Sequence, residues 1–122
     1  MSRPWKRKFA DAFRGLREGV RGGSSFSAHF AAAAAVFALA AALRLDAASW
    51  CILLLCVAGV LAAEMFNSAL ESLARAITTE EHPHLRDALD IASGAVLTAA
   101  FGSIAVGFVL FGRRAGQLLG WW

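Results

Sequence analysis

Three apolar runs divide this chain, and each is long enough, or nearly so, to cross a lipid bilayer as a helix. The first is Ala28 to Leu43, the second runs from Trp50 to Ala63, and the third from about Ala88 to Phe111. A spanning helix needs about 20 largely apolar residues. The first run reaches that length with Ser25–Ser27 and Arg44. The second reaches it by continuing through Glu64, Asn67 and Glu71 toward Ile77, and the third is long enough alone. The fold expected is therefore an all-α integral membrane protein, one domain over 1–122, with transmembrane helices at about 25–44, 49–77 and 87–111. Composition decides between lipid and water. Hydrophobic residues make up 58% of the 122, and charged residues 17%. A soluble chain this short has no core large enough to hide that much apolar surface, and disorder requires low hydrophobicity. Cys51 and Cys56, five residues apart on one helix, stand about 8 Å apart, beyond disulfide reach; they read as buried thiols.

The segment before the first run is of another kind. From Trp5 to Val20, apolar Phe9, Ala12, Phe13, Leu16 and Val20 recur at spacings of three and four, with Lys8, Arg14 and Arg17 elsewhere on the wheel. This reads as an amphipathic helix over 5–21 lying in the membrane interface. A signal peptide is excluded, because the apolar stretch begins only near residue 28, after a long charged segment. Seven of the 12 Lys and Arg fall in this arm: Arg3, Lys6, Arg7, Lys8, Arg14, Arg17 and Arg21. Beside an apolar span such an arm faces anionic lipid, not nucleic acid. With the N-terminus cytoplasmic, Arg75 and Arg86 join the arm on the inner side, against Arg44, Arg113 and Arg114 outside, which sets the orientation. Trp50, Trp121 and Trp122 then suit the outer interface and Trp5 the inner. The loop from Leu45 to Ser49 is too short for anything but an antiparallel hairpin between spans one and two.

The chemistry sits in the inner half of the second span. Glu64, Asn67 and Glu71 fall within about 60° of one helix face, Ser68 beside them, with the two carboxylates about 10 Å apart along the axis. An ionised side chain at membrane depth costs at least a few kcal/mol, about 2.5–3.5 on insertion scales. Glu71 alone could sit at the water line. Glu64 lies two turns further in, with no Lys or Arg four residues away to pair with. Asp87, Asp90, Ser93 and Gly94 open the third span on the same side. The loop between them, Thr78 to His84, carries Glu80, Glu81, His82 and His84, but H-x-H across Pro83 matches no zinc pattern. His29 reads as an interfacial residue. Paired carboxylates near the cytoplasmic interface bind a hard cation such as Mg²⁺, which arrives with phosphates, or take a proton from a lipid hydroxyl. No phosphate-binding glycine loop of either common kind is present.

The run E-M-F-N-S-A-L-E, Glu64 to Glu71, resembles the E-x-x-N-[ST]-A-[IL]-E motif of the prokaryotic diacylglycerol kinase / undecaprenol kinase family. D-I-A-S-G-A-V-L, from Asp90, is similar to that family's third-span motif. Arm, spans and motif order agree over about residues 5–112. The resemblance implies a homotrimer in the bacterial inner membrane that moves the ATP γ-phosphate to the hydroxyl of diacylglycerol or undecaprenol, with Mg²⁺ as cofactor. It implies Glu64 as the general base, Glu71 as the Mg²⁺ ligand, Asn67 and Ser93 at the lipid substrate, and Glu71, Glu80, Glu81, His82 and Asp90 at ATP. The chain departs from the family pattern at three positions: Gly23 stands for a second metal-binding Glu, Leu89 for a Lys and Arg75 for an Asp. The residues alone leave two other readings open, a non-catalytic membrane trimer that keeps the fold and a small ion-coupled subunit using Glu64.

Overall fold

The computed structural model of the protein describes residues 4–21 and 24–121, Ser24 and Ser25 by backbone alone, so the readings placed on Gly23 and Trp122 lie outside the described residues. Four helices follow in order: α1 Trp5–Arg21, α2 Ser24–Ala42, α3 Ala47–Ile77 and α4 Pro83–Leu118. Two of them, α3 and α4, are long and apolar enough to cross a membrane, and α1 with α2 passes the same test as a pair bent by 97°.

Local chemistry sets where these helices begin and end. At the start of α3 the Asp46 side chain accepts the Ser49 N–H at 2.8 Å, an N-cap that satisfies one orphan donor. A hydrogen bond from the Ser49 hydroxyl and the bond from its N–H, with minor help from Arg113 and Arg114, hold the Asp46 carboxyl below its ordinary range. α4 starts with Pro83 in the first turn, where its missing N–H costs nothing, and His82 Nδ1 accepts the His84 N–H at 3.2 Å. α4 is longer than the apolar stretch that predicts it. Arg86, Arg113, Arg114 and Gln117 all favour the helix, which carries Gly112 and Gly116 within it and stops before Gly120, at φ 78°. α2 closes with the paired bonds Leu45 N–H to Ala40 O at 3.1 Å and Arg44 N–H to Ala41 O at 3.2 Å. This is a Schellman ending with Arg44, at φ 53°, in the left-handed position usually held by glycine.

The same helix end is tied to the last turns of α4, since Arg114 Nε donates to Leu43 O at 2.7 Å. A guanidinium on a helix C-terminal carbonyl satisfies an orphan acceptor and opposes the dipole. Arg114→Leu should therefore lower stability by about 1–2 kcal/mol, read as a lower thermal midpoint in mild detergent.

Packing follows a seven-residue rhythm. The buried positions of α2 are Phe26, Ala33 and Ala40, and those of α3 include Leu53, Val60 and Asn67. A seam with this period keeps two helices in contact at a shallow crossing angle. Phe37 stacks on Trp50 at the end nearest the α2–α3 turn, ring centroids 5.6 Å apart. Glu64 and Asn67 continue this apolar seam away from the turn and are the two buried polar or charged residues among those described.

Little else is buried. The accessible surface is 9027 Å², where a globular monomer of this mass exposes about 6,300 Å². No residue in the apolar window of α4 is fully buried, and a Cβ added at Gly94 or Gly102 meets nothing within 4 Å. Cys51, expected to be buried, is exposed and Cys56 is half-buried. In a helix bathed in lipid, apolar side chains gain nothing by facing inward, so hydrophobicity alone does not mark the core.

Candidate functional site

Glu64 and Asn67 lie on the face of α3 that α2 and α4 cover. Both are less than a tenth exposed. From α2, His29 Nε2 comes to 3.4 Å from Glu64 Oε2, with the histidine side chain about a quarter exposed and the glutamate 8%. From α4, Ser93 Oγ donates to Asn67 Oδ1 at 3.5 Å, the long end for a hydroxyl. On the other side of the amide, Asn67 Nδ2 donates to Glu71 Oε1 at 3.1 Å. The two bonds fix the amide's sense. Turned over, its oxygen would face a carboxylate and its NH₂ a hydroxyl that could still adapt. Asn67 therefore couples α4 to the Glu71 carboxylate.

Glu71 shares the stripe of Glu64 and Asn67 in sequence, yet it is exposed. The reason is where α2 stops. In an antiparallel hairpin turning about Leu45 and Asp46, residue 24 stands roughly level with residue 67, so one turn further along α3 no α2 residue is left to cover it. α1 takes over there. Gly19 faces Met65, and a Cβ at that glycine would contact its Cγ and Cε at 3.6 Å. Between α1 and α3 a groove of about 720 Å³ opens, lined among others by Glu18, Ser68, Glu71, Ser72 and Arg75. Two carboxylates and a guanidinium share it. Arg75, which replaces an acid in the resembling motif, thereby brings positive charge beside Glu71.

A second groove, of about 750 Å³, runs between α2, α3 and α4. Its walls are apolar, from Ala33, Val36, Leu53, Val60, Ile104 and Phe108, and His29 stands at one end. On α2 it extends from Ala28 to Leu39, about 16 Å along the axis.

The remaining sequence candidates are placed apart from these contacts. Glu80, Glu81 and His82 lie in the loop between α3 and α4, where the Glu80 N–H donates to Thr78 Oγ1 at 3.0 Å and Arg86 Nη1 stands 3.9 Å from Glu81 Oε1. Asp90 is exposed in the second turn of α4, one turn before Ser93. Among the described residues, no group of three or more His, Cys, Asp or Glu is gathered to hold a metal ion. The residue that the sequence reading passed over is His29, taken there as interfacial. The hairpin could have found it, because residue 29 counts back from the turn to about the level of residue 62, within a turn of Glu64.

The profile of the family described as prokaryotic diacylglycerol kinase matches residues 10–111. A protein named undecaprenol kinase, from Bacillus subtilis (strain 168), is 34% identical over 105 residues, covering 86% of this chain and 85% of the relative. No solved structure matches the chain.

Proposed function

The chain belongs to the prokaryotic diacylglycerol kinase family, and from that premise we propose that it is an ATP- and Mg²⁺-dependent kinase of a membrane lipid alcohol. The observation that carries this reading is the chain of contacts His29–Glu64 and Ser93–Asn67–Glu71, whose ends stand at two grooves, His29 at the apolar one and Glu71 at the polar one. The apolar groove suits a long hydrocarbon body with its hydroxyl toward Glu64. The polar groove, with Glu18, Glu71 and Arg75, suits a charged co-substrate. Diacylglycerol and undecaprenol both fit that description.

Mg²⁺ takes oxygen ligands and keeps several for water and phosphate, so one or two carboxylates from the protein suffice. Glu71 and Glu18 in one groove fit that donor chemistry without a three-residue cage. When bound, the metal would neutralise charge on the nucleotide phosphates. Glu64 takes the proton of the lipid hydroxyl as its oxygen bonds to the γ-phosphorus and the bond to the β-phosphate oxygen breaks. Asn67 holds the Glu71 carboxylate in place and is itself held by Ser93. Arg75 draws the phosphates, and Asp90 with the Glu80–His82 loop borders the nucleotide. Asn67→Leu should leave Glu71 without its amide donor and raise the KM for MgATP about tenfold, with the detergent-solubilised protein otherwise intact. Steady-state kinetics at fixed lipid check this.

The same reading places three spans in the bacterial inner membrane. The N-terminus and α1 lie at the cytoplasmic face and Trp121 outside, testable by labelling of single cysteines introduced near residues 8, 47 and 120. It also takes the protein as a homotrimer. The uncovered apolar face of α4 and the open Gly94 and Gly102 surfaces suit close helix packing between copies. Cross-linking in mild detergent that stops at dimer would contradict that assembly. One observation favours a second reading, a membrane trimer without turnover: Gly23 and Leu89 lack the side chains of the family motif. Phosphotransfer absent from the parent and restored by Gly23→Glu with Leu89→Lys would establish it.

A further inference from the structure

A carboxylate in a helix-packing seam at membrane depth needs partners that compensate its lost hydration. Glu64 is such a group, buried among apolar neighbours on α3, and α2 brings the His29 imidazole to it. The contact joins Nε2 to Oε2 at 3.4 Å. Catalytic hydrogen bonds are commonly this loose before substrate tightens them. His29 also lines the end of the apolar groove, whose walls do not include Glu64, so the histidine links that groove to the buried glutamate. The pair is set by the α2–α3 hairpin, which carries the Phe37–Trp50 stack near its turn and whose α2 terminus is held by Arg114 of α4.

We propose that His29 is a positioning residue for Glu64: its Nε2–H donates to Oε2 and holds the carboxylate turned to receive the proton of the lipid hydroxyl. This rests on the kinase reading above. The balance is complete without the histidine changing state. The alcohol O–H breaks as its oxygen bonds to the γ-phosphorus, the proton passes to Glu64, the bond to the β-phosphate oxygen breaks and ADP leaves. His29 keeps its own proton on Nε2 throughout. A relay, in which the imidazole accepts the proton, requires Nε2 to be unprotonated at rest. The two roles are separable by a side chain that donates an N–H but does not titrate.

The test uses the full chain in mixed micelles with undecaprenol or diacylglycerol and MgATP. His29→Leu removes the donor and should lower kcat about 10- to 100-fold, the loss of one hydrogen bond to a buried charge, while the KM for MgATP stays within about twofold. His29→Gln restores an N–H and should return kcat to within about threefold of the parent. In a Glu64→Gln background, His29→Leu should cost nothing further. His29→Leu turning over like the parent, His29→Gln as poor as His29→Leu, or a loss that adds in full to that of Glu64→Gln would each overturn the proposal. So would a KM for MgATP that rises in step with the fall in kcat, since that is a structural effect. A parent without phosphotransfer, or a fully active Glu64→Gln, instead removes the kinase reading or the role of Glu64. A measurement on the folded parent covers variants that fail to assemble. ¹⁵N-histidine NMR, with the His29 signal identified by its absence in His29→Gln, should show a proton on Nε2. A ring protonated only at Nδ1 contradicts the proposal whatever the kinetics.

Discussion

Glu64→Gln should lower turnover by about 10²- to 10⁴-fold, the usual worth of a positioned general base, with the KM for MgATP little changed. The substitution keeps the size of the side chain and its capacity to hydrogen-bond, so the seam formed by Leu53, Val60, Glu64 and Asn67 keeps its packing. What it removes is basicity. Glu64 is buried on the side of α3 that faces His29 of α2, whereas Glu71, further along the same stripe, lines the groove with Glu18 and Arg75 on the α1 side. The two substrates are thereby assigned to successive stretches of one helix, the hydroxyl at Glu64 and the phosphates at Glu71, and the split between kcat and KM reports that assignment. A Glu64→Gln protein as active as the parent would mean that the hydroxyl loses its proton elsewhere.

Glu71→Gln should fail in the opposite way, with apparent MgATP affinity falling about 100-fold. Loss of a group that merely orients a metal ligand costs about 10- to 100-fold in affinity, and loss of a ligand costs at least as much. Glu71 has little support. Gly23 supplies no carboxylate, and among the described residues Glu18 is the other acid lining the groove. Asn67 Nδ2 would then meet a neutral amide oxygen in place of the carboxylate it now holds at 3.1 Å, so the Ser93–Asn67 contact survives while the charge is lost. Raised Mg²⁺ should recover part of the rate, because a weakened site is refilled by mass action. Titration of initial rate against MgATP at two Mg²⁺ concentrations separates this from a lost base, for which added metal does nothing.

The route from sequence to site was partly legible, and the particular residues show why. Asn67 and Ser93 lie thirteen residues to either side of Glu80, the middle of the short loop between α3 and α4, so an antiparallel pair had to bring them level. The stripe of Glu64, Asn67 and Glu71 followed from helix periodicity alone. The partition of that stripe did not. Glu64 is buried and Glu71 is exposed because α2 begins near the level of Asn67 and α1 departs there, and the residues of α3 carry no trace of where another helix starts. His29 was hidden for a similar reason. Thirty-five residues from Glu64, it is polar at the end of an alanine-rich run and looks interfacial until the hairpin register is applied. Arg114 on the Leu43 carbonyl was read only as a charge on the outer side, whereas it closes the α2 terminus. The exposure of Cys51 reflects a general limit. In a lipid-facing helix, apolar residues occupy the inner and outer faces alike, so buried positions are marked by the seven-residue rhythm and by polar residues, not by hydrophobicity.

The central claim is that this chain transfers phosphate from ATP to a membrane alcohol, and the most direct measurement is radiolabelled phosphate transfer by the purified full chain in mixed micelles. Undecaprenol and diacylglycerol are offered separately, with Mg²⁺ present or chelated. The expected result is Mg²⁺-dependent label in the organic phase with at least one of the two alcohols, abolished by Glu64→Gln. No label in either lipid, from a protein that is folded and assembled, would contradict the account.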